Sequence, residues 1–148
     1  MDEQSKKTAI VDPADRCDLI LQKLRDKELE PAIILLTHGH FDHMLALHDL
    51  RRVTGCPVAL HEADAEALTN TDVNGISRFF IDKKFTGHSA DRLLKDGDQI
   101  EIGHETVRVL HTPGHTAGSV CYLTEEALLS GDTVFAGSVG RTDLYGGN

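Results

Sequence analysis

Residues 37–43 read THGHFDH, which crowds His38, His40, Asp42 and His43 into one short stretch of a chain holding 9 histidines in 148 residues. A fixed H-x-H-x-D-H pattern arises by chance with a frequency on the order of 10⁻⁵ per starting position at these abundances, so accident is a poor explanation. Neutral imidazoles beside a carboxylate are the donor set of Zn²⁺, Fe²⁺ or Mn²⁺, and softness alone does not choose among them. In an extended segment, positions two apart face the same side, so His38 and His40 can converge on one point. Asp42 and His43 follow at the start of a helix and address a second point nearby. This differs from H-E-x-x-H, where two ligands sit one helical turn apart. Two later stretches read as completions of the same site. In HTPGHTAGS (111–119), Pro113-Gly114 forces a sharp turn that swings His115 inward. In LLSGDTVF (128–135), Asp132 lies just past an apolar strand, and Gly131 allows close backbone approach. A carboxylate at that point can bridge two cations. The plain alternative, that residues 38–43 only cap a strand and a helix, leaves His115 and Asp132 without a reason to sit at matching strand ends.

The elements that must carry these residues can be read from periodicity and breakers. KTAIV (7–11) reads as a strand, with Asp12-Pro13 as the cap and first turn of an amphipathic helix over 13–29. AIILL (32–36) is a continuous apolar run, the mark of a strand buried on both faces, and it delivers the histidine cluster at its end. Met44, Leu45, Leu47 and Leu50 predict a second helix from about Asp42 to Gly55, followed by a strand at 57–60 and a helical turn at 62–69. The segment 70–92 shows little periodicity. Beyond it QIEIG and ETVRVLH alternate around a turn at Gly103-His104, and SVCYL with ALLS forms another hairpin around Glu125-Glu126. The order is β-α-β-α-β and then antiparallel β, an α/β (α+β) layered fold in one domain spanning 1–148.

Composition narrows the function classes. With 15 basic and 24 acidic residues the formal charge is −9, which disfavours a nucleic-acid partner. Cys17, Cys56 and Cys121 are widely spaced and odd in number, which argues against a disulfide framework and fits a reducing compartment. The opening MDEQSKKTAIVDP lacks an apolar signal core and no run approaches membrane-spanning length, so the expectation is a cytoplasmic protein with no membrane partner.

Taken together, T-H-x-H-x-D-H, T-P-G-H-T-x-G-S, S-G-D-T-x-F and G-R-T-D resemble the motifs of the metallo-β-lactamase-fold hydrolases, especially the glyoxalase II-like (hydroxyacylglutathione hydrolase-like) branch. The resemblance covers nearly the whole chain in the expected order. It implies an αββα sandwich with a dinuclear metal site, zinc above all, with His38, His40 and His115 on the first metal. Asp42 and His43 would hold the second, with Asp132 bridging. Family members also carry further strands before the first motif and a Gly-His segment beyond G-R-T-D. By that comparison the chain is truncated at both ends, its sandwich is incomplete at the C-terminus, and the second site is one histidine short. Uncovered edges then predict self-association.

In such a site a hydroxide shared by two cations attacks an acyl carbon while a metal polarises the carbonyl. A thiolate leaving group needs little protonation, so thioesters such as acylglutathione-like compounds suit a site with no evident general acid. Asp42 would orient the nucleophile as well as ligate. Persulfide dioxygenases resemble the same signature and would map a mononuclear iron triad onto His38, His115 and Asp132. A nuclease gains nothing from the charge of −9, and a non-catalytic metal-binding fragment is the last alternative. Among other residues, His111 is a candidate to orient a ligand, whereas surface or packing roles are expected for His48, His61, His88 and His104. Arg141 and Asp143 read as a structural pair at the pocket rim, Tyr145 as a substrate contact or a frayed end. The acidic pairs Glu125-Glu126 and Asp96-x-Asp98 read as solvated turns.

Overall fold

The computed structural model describes residues 1–79 and 85–148. Its first half is a parallel sheet ordered β1-β2-β3-β4, made of β1 (Lys7–Val11), β2 (Glu30–Leu35), β3 (Val58–His61) and β4 (Arg92–Leu94). Helix α1 (Cys17–Asp26) joins β1 to β2, and α2 (Leu47–Thr54) lies between β2 and β3. Parallel neighbours need such crossovers. The second half is an antiparallel sheet of β5 (Gln99–Ile102), β6 (Glu105–His111), β7 (Val120–Leu123) and β8 (Leu128–Leu129). A separate small hairpin follows, β9 (Val134–Phe135) with β10 (Ser138–Val139).

The apolar run of β2 explains the layering. Ile34 and Leu36 pack toward the helices with Ile10, Leu24, Leu47, Leu50, Val58 and Leu60. Ile33 and Leu35 point the other way, into a second core with Leu94, Ile100, Val107, Val109, Val120 and Tyr122 between the two sheets. A strand buried on both faces must be apolar at every position, and this one is the shared wall of both cores. The layers run helix, sheet, sheet. Among the described residues no helix covers the far face of the second sheet, where the paired Leu123 and Leu128 are exposed. The expected sandwich is therefore present in three of its four layers.

Several boundaries differ from the sequence reading. Helix α1 starts at Cys17 and not at Pro13, because Arg16 and Asp12 both adopt left-handed backbone conformations (φ 54 and 45) and the chain turns before the helix begins. Asp12 caps nothing; its carboxylate goes elsewhere, as described below. The second helix does not start at Asp42. Phe41–His43 form a 3₁₀ turn, and α2 follows from Leu47 to a left-handed Gly55. Residues 62–68 form a longer 3₁₀ segment. Within 70–92, where periodicity gave nothing, the structure has a 3₁₀ turn at Ser77–Phe79 and, at its very end, the first residue of the parallel edge strand β4, while residues 80–84 lie outside the described residues. The β9–β10 hairpin was not anticipated. Gly103-His104 and Glu125-Glu126 do close hairpins, pairing Ile102 with Glu105 and Leu123 with Leu128.

Candidate metal centre

The two sheets meet where β2 runs out. Leu36 N–H donates to Ala59 O of β3 at 3.0 Å, and Val120 N–H of β7 donates to Thr37 O at 2.8 Å. The Tyr122 hydroxyl, fully buried, donates to Leu36 O at 2.7 Å. The backbone entering THGHFDH is thus fixed from both sheets. His40 continues it in an extended conformation (φ −75, ψ 144) before the 3₁₀ turn. Across the seam the loop after β6 is closed by Thr112 N–H donating to Ser119 O at 2.9 Å and presents His115. Asp132 arrives from the connection between β8 and β9. At Gly131, in the left-handed region at φ 48, an added Cβ would collide with the Thr37 side chain, so only glycine lets this stretch approach.

These arms bring five of the six predicted residues together. His38, His40 and His115 form one group with ligand atoms within 4.8 Å of one another, and His38, His43 and Asp132 form a second. His40 Nδ1 lies 2.8 Å from His115 Nε2. The Asp132 carboxylate spans the two groups, with Oδ1 3.3 Å from His43 Nε2 and Oδ2 3.5 Å from His115 Nε2. Asp42 stands apart: its side chain is 60% exposed and its Oδ2 is 3.9 Å from His43 Nε2.

Hydrogen bonds on the outer side of each ring decide which nitrogen faces inward. Asp12 Oδ1 and Oδ2 accept from Thr37 N–H and Thr37 Oγ1–H, both at 2.7 Å, so the Thr37 oxygen is left to accept from His38 Nδ1–H at 3.1 Å. His43 Nδ1–H donates to Asp12 Oδ2 at 3.0 Å, and His115 Nδ1–H donates to Arg141 O at 2.7 Å. Each of these rings then turns an Nε2 lone pair to the centre, the arrangement that orients metal-binding histidines. His38 Nε2 is buried with no hydrogen-bond partner, a costly state for a polar atom unless a ligand takes it up. Three imidazoles and a carboxylate around such an atom fit a divalent cation.

The electrostatics agree. Burial, then the neighbouring rings of His43, His40 and His115, pushes His38 from 6.5 down to about 2. Burial and His115 also lower His40. Both rings are held neutral, the form that binds metal. For His43 burial acts downward too, but the Asp12 hydrogen bond and the charges of Asp12, Asp132 and Asp42 outweigh it and raise its pKa.

The family model of the metallo-beta-lactamase superfamily matches residues 3–148. The chain belongs to that superfamily. It is 40% identical over 141 residues to a probable metallo-hydrolase, YqgX, of Bacillus subtilis, a match covering 94% of this chain and 66% of YqgX. It is 33% identical over 139 residues to the probable polyketide biosynthesis zinc-dependent hydrolase BaeB of Bacillus velezensis, covering 93% and 55%. To hydroxyacylglutathione hydrolase GloC of Haemophilus influenzae it is 28% identical over 156 residues, covering 99% and 70%. The chain spans about two thirds of the length of the curated relatives it matches. Among solved structures, the BLEG-1 B3 metallo-beta-lactamase superposes with a TM-score of 0.92 at 39% identity, covering 100% of this chain and 72% of the other. A di-iron-bound form of TTHA1623 gives 0.79 at 34%, covering 90% and 66%. One relative is named as zinc-dependent and one structural neighbour is di-iron-bound, so the superfamily's metal centre is supported and its metal is not fixed.

Beside the ligand groups of this superfamily member opens a pocket of about 230 Å³, walled by Phe41, Phe79, Leu144 and Tyr145 and flanked by Arg78 and Arg141. Arg141 is held in a two-point pair by Asp143 at 2.6 and 2.8 Å, so the G-R-T-D motif does form the anticipated rim pair, while its Arg141 carbonyl orients His115. Tyr145 is 63% exposed at the mouth. His111 touches no ligand: it donates from Nε2 to Ala117 O at 2.9 Å and stacks on His61, propping the His115 loop from below. His61 is buried under that stack and caps the 62–68 segment, its Nδ1 accepting from Ala63 N–H at 3.3 Å. His48 and His88 pack ring to ring, and the exposed His104 ring hydrogen-bonds the buried Asp2 carboxylate. Asp96 and Asp98 are not merely solvated; they accept from His111 N–H and Lys95 N–H and shape the turn between them.

Three residues that position the candidate site escaped the sequence reading. Asp12 had a signal, since it follows an apolar strand just as Asp132 does, but the adjacent proline made a helix cap the simpler reading. Thr37 lies inside the motif, but a hydroxyl among histidines has nothing in its spacing to mark a role. Asp64, which joins two loops of the site, had no signal in the acidic run EADAEAL.

Proposed function

We propose that this chain carries the metal centre of a hydrolase for thioesters, acylglutathione-like compounds among them, working with two divalent cations, zinc first and Fe²⁺ or Mn²⁺ as substitutes. The observation that carries this reading is the placement of Asp132 across two ligand groups that share His38. Divalent cations bound there supply a water activated near neutral pH and a Lewis acid for the acyl oxygen. His38, His40 and His115 bind the first, with the His38 and His115 rings locked by Thr37 and Arg141 O. His43 and Asp132 bind the second, with Asp12 fixing His43. Asp42, exposed at the mouth of the pocket, would join the second set and orient a water only by turning inward from its place in this structure. Phe41 and Phe79, with ring centroids 5.5 Å apart, exclude bulk water from one side of the acyl group.

A thiolate departs without a proton, whereas the amine of an opened lactam needs one. This favours thioesters over β-lactams even with a B3 metallo-beta-lactamase as a structural neighbour at 39% identity. The oxidoreductase reading with a triad of His38, His115 and Asp132 leaves His40, whose Nδ1 sits 2.8 Å from His115 Nε2, aimed at the same point without a task. The partner implied is a small-molecule substrate in the cytoplasm. The charge of −9 gives no support to nucleic acid, and no described helix is long and apolar enough to cross a membrane. Leu128, Leu129, Val134, Phe135 and Val139 are all exposed, and this apolar surface is where copies would self-associate.

The test is a panel of an acylglutathione, an oxygen ester and a β-lactam offered to zinc-loaded and iron-loaded protein, with thiol release, ester loss, ring opening and oxygen uptake followed. Zinc-dependent thiol release that exceeds the other activities is the expected result. Efficient ester or lactam cleavage without thioester turnover overturns the substrate assignment. Oxygen uptake confined to the iron form overturns the hydrolase.

A further inference from the structure

Asp64 lies in the 3₁₀ segment after β3, in a run whose composition reads as solvent-facing, yet its side chain is buried. Its Oδ2 accepts from Gly39 N–H at 2.8 Å and from Thr116 Oγ1–H at 2.7 Å. Its Oδ1 accepts from Gly118 N–H at 2.7 Å. Gly39 stands between His38 and His40, and Thr116 directly follows His115. One carboxylate therefore ties the two arms that supply the first ligand group. The fit is close on both sides: a Cβ at Gly118 would come to 2.6 Å from Asp64 Cγ, and one at Gly39 would collide with Ala67.

The charge of this group matters as well as its shape. Its three donors are neutral, and no Lys, Arg or His nitrogen among the described residues forms an ion pair with it. A buried anion without a cation is costly. A cation between His38, His40 and His115 would supply the missing counter-charge.

We propose that Asp64 is a positioning residue for the first metal: it sets the spacing between the His38–His40 arm and the His115 arm, and its buried charge is balanced by the bound cation. This rests on the metal-centre reading above. The two properties predict different things from different substitutions. Asp64→Asn keeps the shape but removes the charge and leaves one N–H donor facing an amide. Thr116→Val removes one of three hydrogen bonds and keeps the charge, and Thr116→Ser restores the hydroxyl.

The experiment is titration of the metal-free 148-residue chain with Co²⁺, reading affinity and the visible ligand-field spectrum, beside the thermal midpoint of the metal-free protein. Asp64→Asn should bind Co²⁺ about 10- to 100-fold more weakly, in line with partners that orient ligands elsewhere, with a changed spectrum. Thr116→Val should show a smaller loss in the same direction, and Thr116→Ser should match the wild type. Asp64→Asn and Thr116→Val proteins that bind within about twofold of wild type with the same spectrum overturn the proposal, even if their metal-free midpoints fall, because that pattern marks a merely structural tie. Should Asp64→Asn not fold, the Thr116→Val and Thr116→Ser pair decides by the same criteria. A wild-type chain that takes up no Co²⁺ overturns the metal centre itself and this inference with it.

Discussion

The two ligand groups share His38 and are held in different ways. His38, His40 and His115 are all buried, on arms pinned to strand ends and to each other through Asp64. His43 and Asp132 are half-buried, and Asp132 hangs between β8 and β9, strands of two residues each. Asp42, on the same side, faces solvent. The motif THGHFDH feeds both groups, so nearness in sequence does not decide which is rigid. Hydrogen-bonded strand ends do. The first group is preorganised by two sheets, whereas the second depends on a segment with little sheet around it, where order is least costly to lose.

The largest expected effect comes from His115→Ala. It should weaken binding of the tighter cation at least about 100-fold, since it removes a ligand where changes to orienting partners alone cost 10- to 100-fold. Metal content measured after removal of loosely bound ions should fall below one per chain, while Asp132→Ala should retain close to one. The reverse pattern would break the comparison.

Acid should separate the groups next. The lowered pKa values of His38 and His40 mean that, below about 6.5, the unfolded chain binds protons the folded chain refuses, so metal-free stability falls as pH falls. His43, with its raised pKa, acts in the opposite direction. Thermal midpoints between pH 7 and 5 should therefore fall more steeply in His43→Gln than in wild type, and less steeply in His40→Gln. Equal slopes would mean that the two groups are not electrostatically distinct.

Asp42→Asn should have the smallest effect, a loss of roughly 10-fold or less in affinity for the second ion with the first ion retained. A loss as large as that of Asp132→Ala would show that Asp42 swings inward on metal binding, and that the rim position describes the metal-free protein alone.

Much of this was legible because the signals were periodic or local. The run AIILL declared a strand with two buried faces, and the alternation of ETVRVLH declared the second sheet. His115 and Asp132 were legible because each follows an apolar strand and a turn. What was missed depends on distant partners. Asp12 is defined by Thr37, 25 residues away, and Asp64 by Thr116, 52 residues away; neither relation leaves a pattern in one sequence. Strand β4 was missed because three residues are too few to show a period, and its pairing with β3 supplies what its own sequence lacks.

Tyr122 gives the seam between the sheets an optical handle. The chain has no tryptophan and 2 tyrosines, Tyr122 and Tyr145. One phenol is sealed against Leu36 O, where burial and the charge of Asp12 raise its pKa above the ordinary 10.0, and the other lies at the surface. Absorbance at alkaline pH therefore distinguishes them: in the folded protein one tyrosine resists forming phenolate. The moment it yields, the joint that carries THGHFDH has come apart, and that event can be followed without any label.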